Sequence, residues 1–448
     1  MARRMVVLLS LTACAVAVSL AVVSLAVVRA MPVPSLGTTL QTGSDWGRLA
    51  LALDRRTQRI FVAGQTTVTV LDARRGTALR DVDTLPLRPS PMVCRGAICG
   101  FVASYSLPVQ PVSEEVAVDE AIDRVFVTNS DRAQLTVLDA RTGALLQTVG
   151  VGHTPHALLI DKSHHHVFVA NVADGTVSVL DGRSGHIERT VAVGRSPLAL
   201  ALDPRAHRLL VANAGDGSLS VVDTARGQVM GTVAAGRRPV ALAVDTSTHR
   251  AYIADQERAS VSIVDIPTLR VLRVLSVGAS PVAVTLDERL ARAFVLNSTG
   301  HSVSIIDTQT LRVLHTVALP GVPRAEAIDG STGRLVIVLM ATDTGGTLTP
   351  TGSLSVLDAR TGRLNWTLPT GHISTALAID ERERRFVVLN QGCLGGAQPF
   401  DSVVTTVCRG VRPAVYPGVV ERILAFAGHS PQYGDTTVRL IDAQKPPN

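Results

Sequence analysis

LTVLD (135–139), VSVLD (177–181), LSVVD (219–223), VSIVD (261–265) and VSIID (303–307) are one phrase written five times, each closing on an Asp 42 residues after the last. A period of this size marks one supersecondary module per unit, and such modules bury their faces only by packing on one another. The interval also serves as a ruler. Sequence that keeps the beat is scaffold, and sequence that breaks it is where function is sought.

Working outward from the phrase gives eight units. Each opens on an apolar run closed by Asp, as in ALALD (50–54), ALALD (199–203), ALAVD (241–245) and ALAID (376–380). A second run follows, for example RVFVTN (124–129), HVFVAN (166–171), RLLVAN (208–213) and RAFVLN (292–297). A polar turn such as Gly215-Asp216-Gly217 leads into the ruler phrase, and a weaker run such as RTVAVG (189–194) ends the unit. Short Val-rich runs bounded by Gly, Asp and Asn read as strands. Four antiparallel strands per unit make a β-propeller blade, so the expected fold is an all-β propeller of about eight four-stranded blades. The last unit holds three strands, and GTTLQTG (37–43) is the N-terminal strand expected to close the ring.

The Trp-Asp dipeptide of WD40 blades is absent, because Trp46 and Trp366 are followed by Gly and Thr. VFVTN (125–129), VFVAN (167–171) and LLVAN (209–213) instead resemble the YVTN-repeat family of propellers, over about residues 48–442. That resemblance implies an exported or cell-surface propeller. It also implies seven blades as the usual number, against eight counted from the repeats, and a distant likeness to lactonase-type and haem-d1-type propellers. It leaves activity open.

Ahead of the repeats, Arg3 and Arg4 precede an uncharged apolar stretch from Met5 to Val28. A cleaved signal peptide has a shorter apolar core, whereas about 20 apolar residues span a bilayer. Residues 1–30 therefore read as a signal-anchor or a signal peptide, with Val28-Arg29-Ala30 as a cleavage site and Cys14 in a lipobox-like LTAC. Every one of these readings places the rest of the chain outside the cytoplasm. Residues 31–47 read as a linker containing the closing strand, and 48–448 as the propeller. Cys94, Cys99, Cys393 and Cys408 remain as an even set in a disulfide-permissive compartment, with three connectivities open. Local pairs Cys94–Cys99 and Cys393–Cys408 are the simplest.

Net charge is +6, spread without a run of like charges, and aromatics are 3%. Stacking platforms and basic tails are thus lacking, which argues against a nucleic-acid partner. The ruler stretches in three places, by insertions at about 84–112, 341–351 and 391–434. In an up-and-down blade, the turn between strands two and three and the link to the next blade emerge on one face. The insertions fall in units 1, 7 and 8, which are neighbours in a closed ring, so they are expected to share one sector of one face. VVERILAFA (419–427) in the last insertion reads as a short helical segment.

Candidate chemistry is sparse. His164, His165 and His166 suggest a metal, but His165, His207 and His249 share one repeat position and are followed by His166, Arg208 and Arg250. A basic residue at a fixed turn position is repeat grammar, expected to pair with the Asp ending the preceding strand. The recurring Asp residues themselves read as turn caps. Between the blades, VGHTPH (151–156), VGRSPL (193–198), AGRRPV (235–240), LPGVPR (319–324) and TGHIST (370–375) place His153, His156, Arg195, Arg237, Arg238, Arg324 and His372 around the channel mouth. A ring of one sign favours a small anionic ligand. Glu114, Glu115 and Glu326 open units 2 and 7, yet no spacing links them, and no nucleophile elbow, zinc, haem or phosphate-loop motif occurs. No catalytic residue, metal or cofactor is assigned. The expectation is an extracytoplasmic, monomeric binding scaffold of the cell envelope, whose partner is a protein or small anion, with the membrane reached through residues 1–30. The alternative is a lactonase-like hydrolase or lyase acting on a small anionic or sugar-derived substrate at the mouth.

Overall fold

The computed structural model describes residues 50–442 apart from 64–66, 74–76, 85–91, 96–97, 102–114, 331, 343–347, 371–372, 381–384, 392–423 and 427–435. Each repeat unit forms a four-stranded antiparallel sheet, and eight such sheets follow one another along the chain. First strands of successive sheets lie side by side. The first strand of blade 8 (Ile373–Asp380) also packs against that of blade 1 (Ala50–Asp54), which closes the ring. The all-β propeller expected from the repeats is the fold found.

The burial pattern follows from the stacking. In blade 4 the second strand (Arg208–Asn213) and third strand (Ser218–Asp223) are buried almost throughout, while the fourth (Gln228–Ala234) is largely exposed. Each middle strand is covered by a neighbouring blade on both faces, so it reads as a continuous apolar run rather than an alternating one. Across one such seam, Phe294 and Ile305 of blade 6 pack with Leu335 and Ile337 of blade 7. Fourth strands form the rim and carry the large exposed apolar residues, among them Leu146, Met230 and Val274.

The Asp residues cap turns, as their recurrence suggests. Asp203 ends a first strand and accepts from the amides of Arg205 and Ala206, each at 3.1 Å. Asp223 ends the third strand of the same blade and accepts from Ala225 and Arg226 at 3.0 and 2.9 Å. The Arg226 amide holds the Asp223 carboxyl below its usual range, with burial opposing and Arg208 assisting. The Ser184 amide and hydroxyl do the same for Asp181.

The basic turn residues pair differently from the expectation. Arg208 and Arg292 reach Asp223 and Asp307, which end the third strand, at 3.0 and 2.7 Å. Arg208 lies opposite both Asp203 and Asp223, and Arg292 opposite both Asp287 and Asp307. Each takes the Asp that ends the third strand, whether or not the first-strand Asp is engaged by a histidine of the adjacent blade, as Asp203 is. His249 Nδ1 lies 2.5 Å from Asp203 of blade 4, and His165 Nδ1 lies 2.6 Å from Asp119 of blade 2. Both histidines sit in the left-handed region, at φ 53° and 59°, which turns each ring toward the neighbouring blade. At two of its three occurrences the repeated His is thus an inter-blade tie. At the third, Asp161 is taken by His164 of its own turn, and His207 meets the ring of His164 instead.

Blade 8 departs from the others. Its sheet runs Ile373–Asp380, Arg385–Gln391, Thr436–Asp442 and then Leu424–Phe426. The residues expected to be helical within 419–427 thus include an edge strand, and the insertion itself supplies the fourth strand. An open edge exposes a row of unpaired N–H and C=O groups, and a segment only about ten residues upstream reaches it with little loop-closure cost. The expected closing strand at 37–43 lies outside the described residues.

Candidate binding face

Antiparallel order places the Asp-capped turns, one–two and three–four, on one face of the ring. The two–three turns and blade links lie on the other. All three insertions depart from this second face. The first carries a hairpin, Met92–Arg95 with Ile98–Phe101, whose register sets Cys94 opposite Cys99. The second lengthens the blade 7 hairpin, so that its strands run Arg334–Thr342 and Leu348–Asp358. The third leaves blade 8 after Gln391. Cys393 and Cys408 lie outside the described residues.

The links that shape the mouth are built on a repeated polar contact. Asn213 ends the second strand of blade 4, is wholly buried, and donates through Nδ2 to Ser218 and Ser220 at 3.0 and 2.9 Å. Asn171 and Asn297 make the equivalent pairs with Thr176 and Ser178, and with Ser302 and Ser304. The link glycine rests on that amide, because a Cβ on Gly194 would stand 2.6 Å from Asn213 Cγ. Sequence reading passed over this role. Its signal is the pairing of a terminal Asn with alternate hydroxyl residues entering the ruler phrase.

The next link residue is pinned by the blade that follows. His153 gives its amide to Asp174 at 2.7 Å and brings Nδ1 to 2.9 Å from the same carboxyl. Arg195 repeats the arrangement with Asp216, through its amide and Nε at 2.5 Å each. The His153 amide holds Asp174 below the usual carboxylate range, and the Arg195 side chain does so for Asp216. In blade 5, Asp255 replaces the Asn and accepts from the amides of Arg237 and Arg238 at 2.7 and 3.0 Å, leaving both side chains exposed. An acid thus stands beside the cation at the links into blades 3 and 4, whereas at the link into blade 5 two exposed guanidiniums stand over one buried Asp.

Two further residues expected at the mouth, His156 and Arg324, are half-buried. His156 follows Pro155 on the first strand of blade 3. Arg324 sits at the bulge opening the first strand of blade 7, its guanidinium 3.9 Å from the Met340 sulfur, and burial draws its pKa down. His372 lies outside the described residues. No group of three or more His, Cys, Asp or Glu placed to hold a metal occurs among the described residues. No helix among them is long and apolar enough to cross a membrane.

Since Arg195 and Asp216 form a solvent-exposed pair, Arg195→Ala is expected to leave the unfolding midpoint within about 2 °C of wild type. Calorimetry checks this. A larger loss would make the pair part of the scaffold rather than of a surface free to serve a ligand.

Residues 64–277 match the family described as outer membrane protein assembly factor BamB. Among solved structures, the chain is similar to dihydro-heme d1 dehydrogenase NirN in complex with DHE, at 16% identity and TM-score 0.57, over 75% of this chain and 67% of that one. It is also similar to a functionally unknown protein from Desulfotomaculum acetoxidans, at 14% identity and TM-score 0.50, over 59% of this chain and 88% of that one. Hydrazine synthase from Kuenenia stuttgartiensis aligns at 18% identity and TM-score 0.47, over 55% of this chain and 80% of that one. No curated protein matches the chain. At such identities the first two of these structures speak to fold alone.

Proposed function

We propose that this protein is a binding scaffold of the cell envelope, with its ligand surface on the insertion-bearing face. The observation that carries the reading is positional. Insertions from blades 7, 8 and 1, consecutive around the ring, all depart from the face that also holds the polar blade links. Loops displayed on a rigid repeat scaffold are the usual site of recognition. The match of residues 64–277 to an assembly factor of the outer membrane supports a protein partner and an envelope location. Cys94 and Cys99, opposite one another in the first hairpin, fit an extracytoplasmic compartment in which they would be joined.

The test is site-specific photocrosslinking in cells. Probes at Arg237 and Arg132, on the insertion face, are expected to capture partner, while probes at Arg226 and Arg289, on the Asp-turn face, do not. Trimming residues 393–420, which spares the edge strand Leu424–Phe426, should reduce capture at least tenfold. Equal capture from both faces, or undiminished capture after trimming, overturns the reading. The alternative of a hydrolase or lyase at the mouth predicts the opposite sensitivity. A single replacement at His153 or His156 would then abolish turnover, while trimming would leave it intact.

A further inference from the structure

In seven of the eight units, the residue three positions before the Asp that ends the first strand is Leu or Val, as at Leu200, Leu242 and Leu377. In blade 7 it is Glu326. Two positions before that Asp the units carry Ala or Leu, except for Thr285 in blade 6. These two departures meet at one seam. The strands Pro281–Asp287 and Val322–Asp329 pack side by side. Strand alternation puts Glu326 on the side of Ile328, which packs into the core shared by blades 6 and 7 with Ala283 and Ile337.

Glu326 is only 4% exposed, and neither of its carboxyl oxygens has a hydrogen-bond partner among the described residues. Charged groups on the packed elements are Asp287 and Arg292 of blade 6, Arg324, Asp329 and Arg334 of blade 7, and Asp380 of blade 8. All but Arg324 stand where the strands meet the Asp-turn face. There Asp287 caps its turn, Arg292 pairs with Asp307, and Asp329 caps the turn at Thr332. Arg324 lies toward the opposite end, at the bulge. Burial pushes the Glu326 acid up to about 8, against a weaker pull from the nearby Thr285 hydroxyl, which does not reach hydrogen-bond geometry.

We propose that Glu326 is a proton-operated fastener of the seam between blades 6 and 7. Protonated, it lets the seam close over a neutral group. Ionised, it draws in water and loosens the blade that carries the second insertion. The folded-state pKa is raised, so the stabilisation is complete below the ordinary Glu range near pH 4.3, declines as pH rises, and is lost once pH passes about 8. Within that window the opening equilibrium gains about tenfold per pH unit from this one group.

Hydrogen exchange on the full chain between pH 5.5 and 8.5, corrected for the intrinsic pH dependence, reads this directly. Peptides covering Pro281–Asp287 and Val322–Asp329 should lose protection about tenfold per pH unit relative to Pro197–Asp203 and Pro239–Asp245 in an unmodified seam. Glu326→Gln should abolish that excess slope, as should Glu326→Leu, which restores the repeat. The glutamine variant covers the case in which the leucine repacks the seam. An excess slope that persists in either variant, or that is absent from wild type, overturns the proposal.

Discussion

Asp203→Ala is expected to destabilise the propeller by about 3–5 kcal/mol. The side chain is wholly buried and accepts from two turn amides and from His249 of the next blade. Removing it orphans two turn N–H groups and a half-buried imidazole together, at the joint where blades 4 and 5 are tied. A ruler Asp such as Asp307 is more exposed, caps a rim turn and makes no tie between blades. Asp307→Ala should therefore cost about 1–2 kcal/mol. Chemical denaturation of the two variants checks the order. Equal losses would mean that the tie contributes nothing and the turn caps do all the work.

Gly217→Ala is expected to cost about 2–4 kcal/mol, while Gly175→Ala at the same repeat position costs about 1 kcal/mol. Both glycines are left-handed, at φ 65° and 62°, yet the equivalent residues Ala133 and Ala259 adopt that conformation with a Cβ, at φ 53° and 49°. Backbone strain alone is therefore tolerable at this site. What separates the two is the carbonyl opposite. A Cβ on Gly217 would lie 2.4 Å from the Gly236 oxygen, and one on Gly175 would lie 3.2 Å from the Gly194 oxygen. The first contact is with backbone held by hydrogen bonds that the Ala235 and Gly236 amides donate to the Gly217 carbonyl, so neither partner yields easily. Thermal unfolding of both variants decides it.

Taken with Glu326, the capping carboxyls bound the pH range of the fold from opposite sides. Asp181 and Asp223 are held below their ordinary range by turn amides, so their contribution is present above it and disappears as pH falls through the lowered values. Glu326 acts at the alkaline end. Among the described residues the acid-side contribution is shared among several turns, whereas Glu326 acts at one seam.

Much of this was legible in the residues. Strand assignments in units 2 to 7 follow from Val-rich runs closed by Asp, because each blade repeats the same local rules with little interference from outside. The reading of Asp as a turn cap needed only its place before a polar turn. Pairings that cross between blades were not legible. Arg208 and Arg292 each lie opposite two Asp residues, and local sequence does not say which one the guanidinium takes; nor does it show that His249 reaches Asp203 of the preceding blade. The edge strand Leu424–Phe426 was misread as helical because VVERILAFA lacks a decisive period, and an open sheet edge overrode its weak local preference.

The sequence by itself determined the fold class, the unit boundaries and the three places where the beat breaks, since periodicity is a property of the chain. Only the tertiary structure decided how the mouth is charged and where an acid is stranded. His153 and Arg195 meet Asp174 and Asp216 only when a link folds back over the next blade. Glu326 becomes a buried carboxyl only because blade 6 closes over it. Charge pairing and desolvation depend on what surrounds a group in three dimensions, and a one-dimensional repeat does not carry that information.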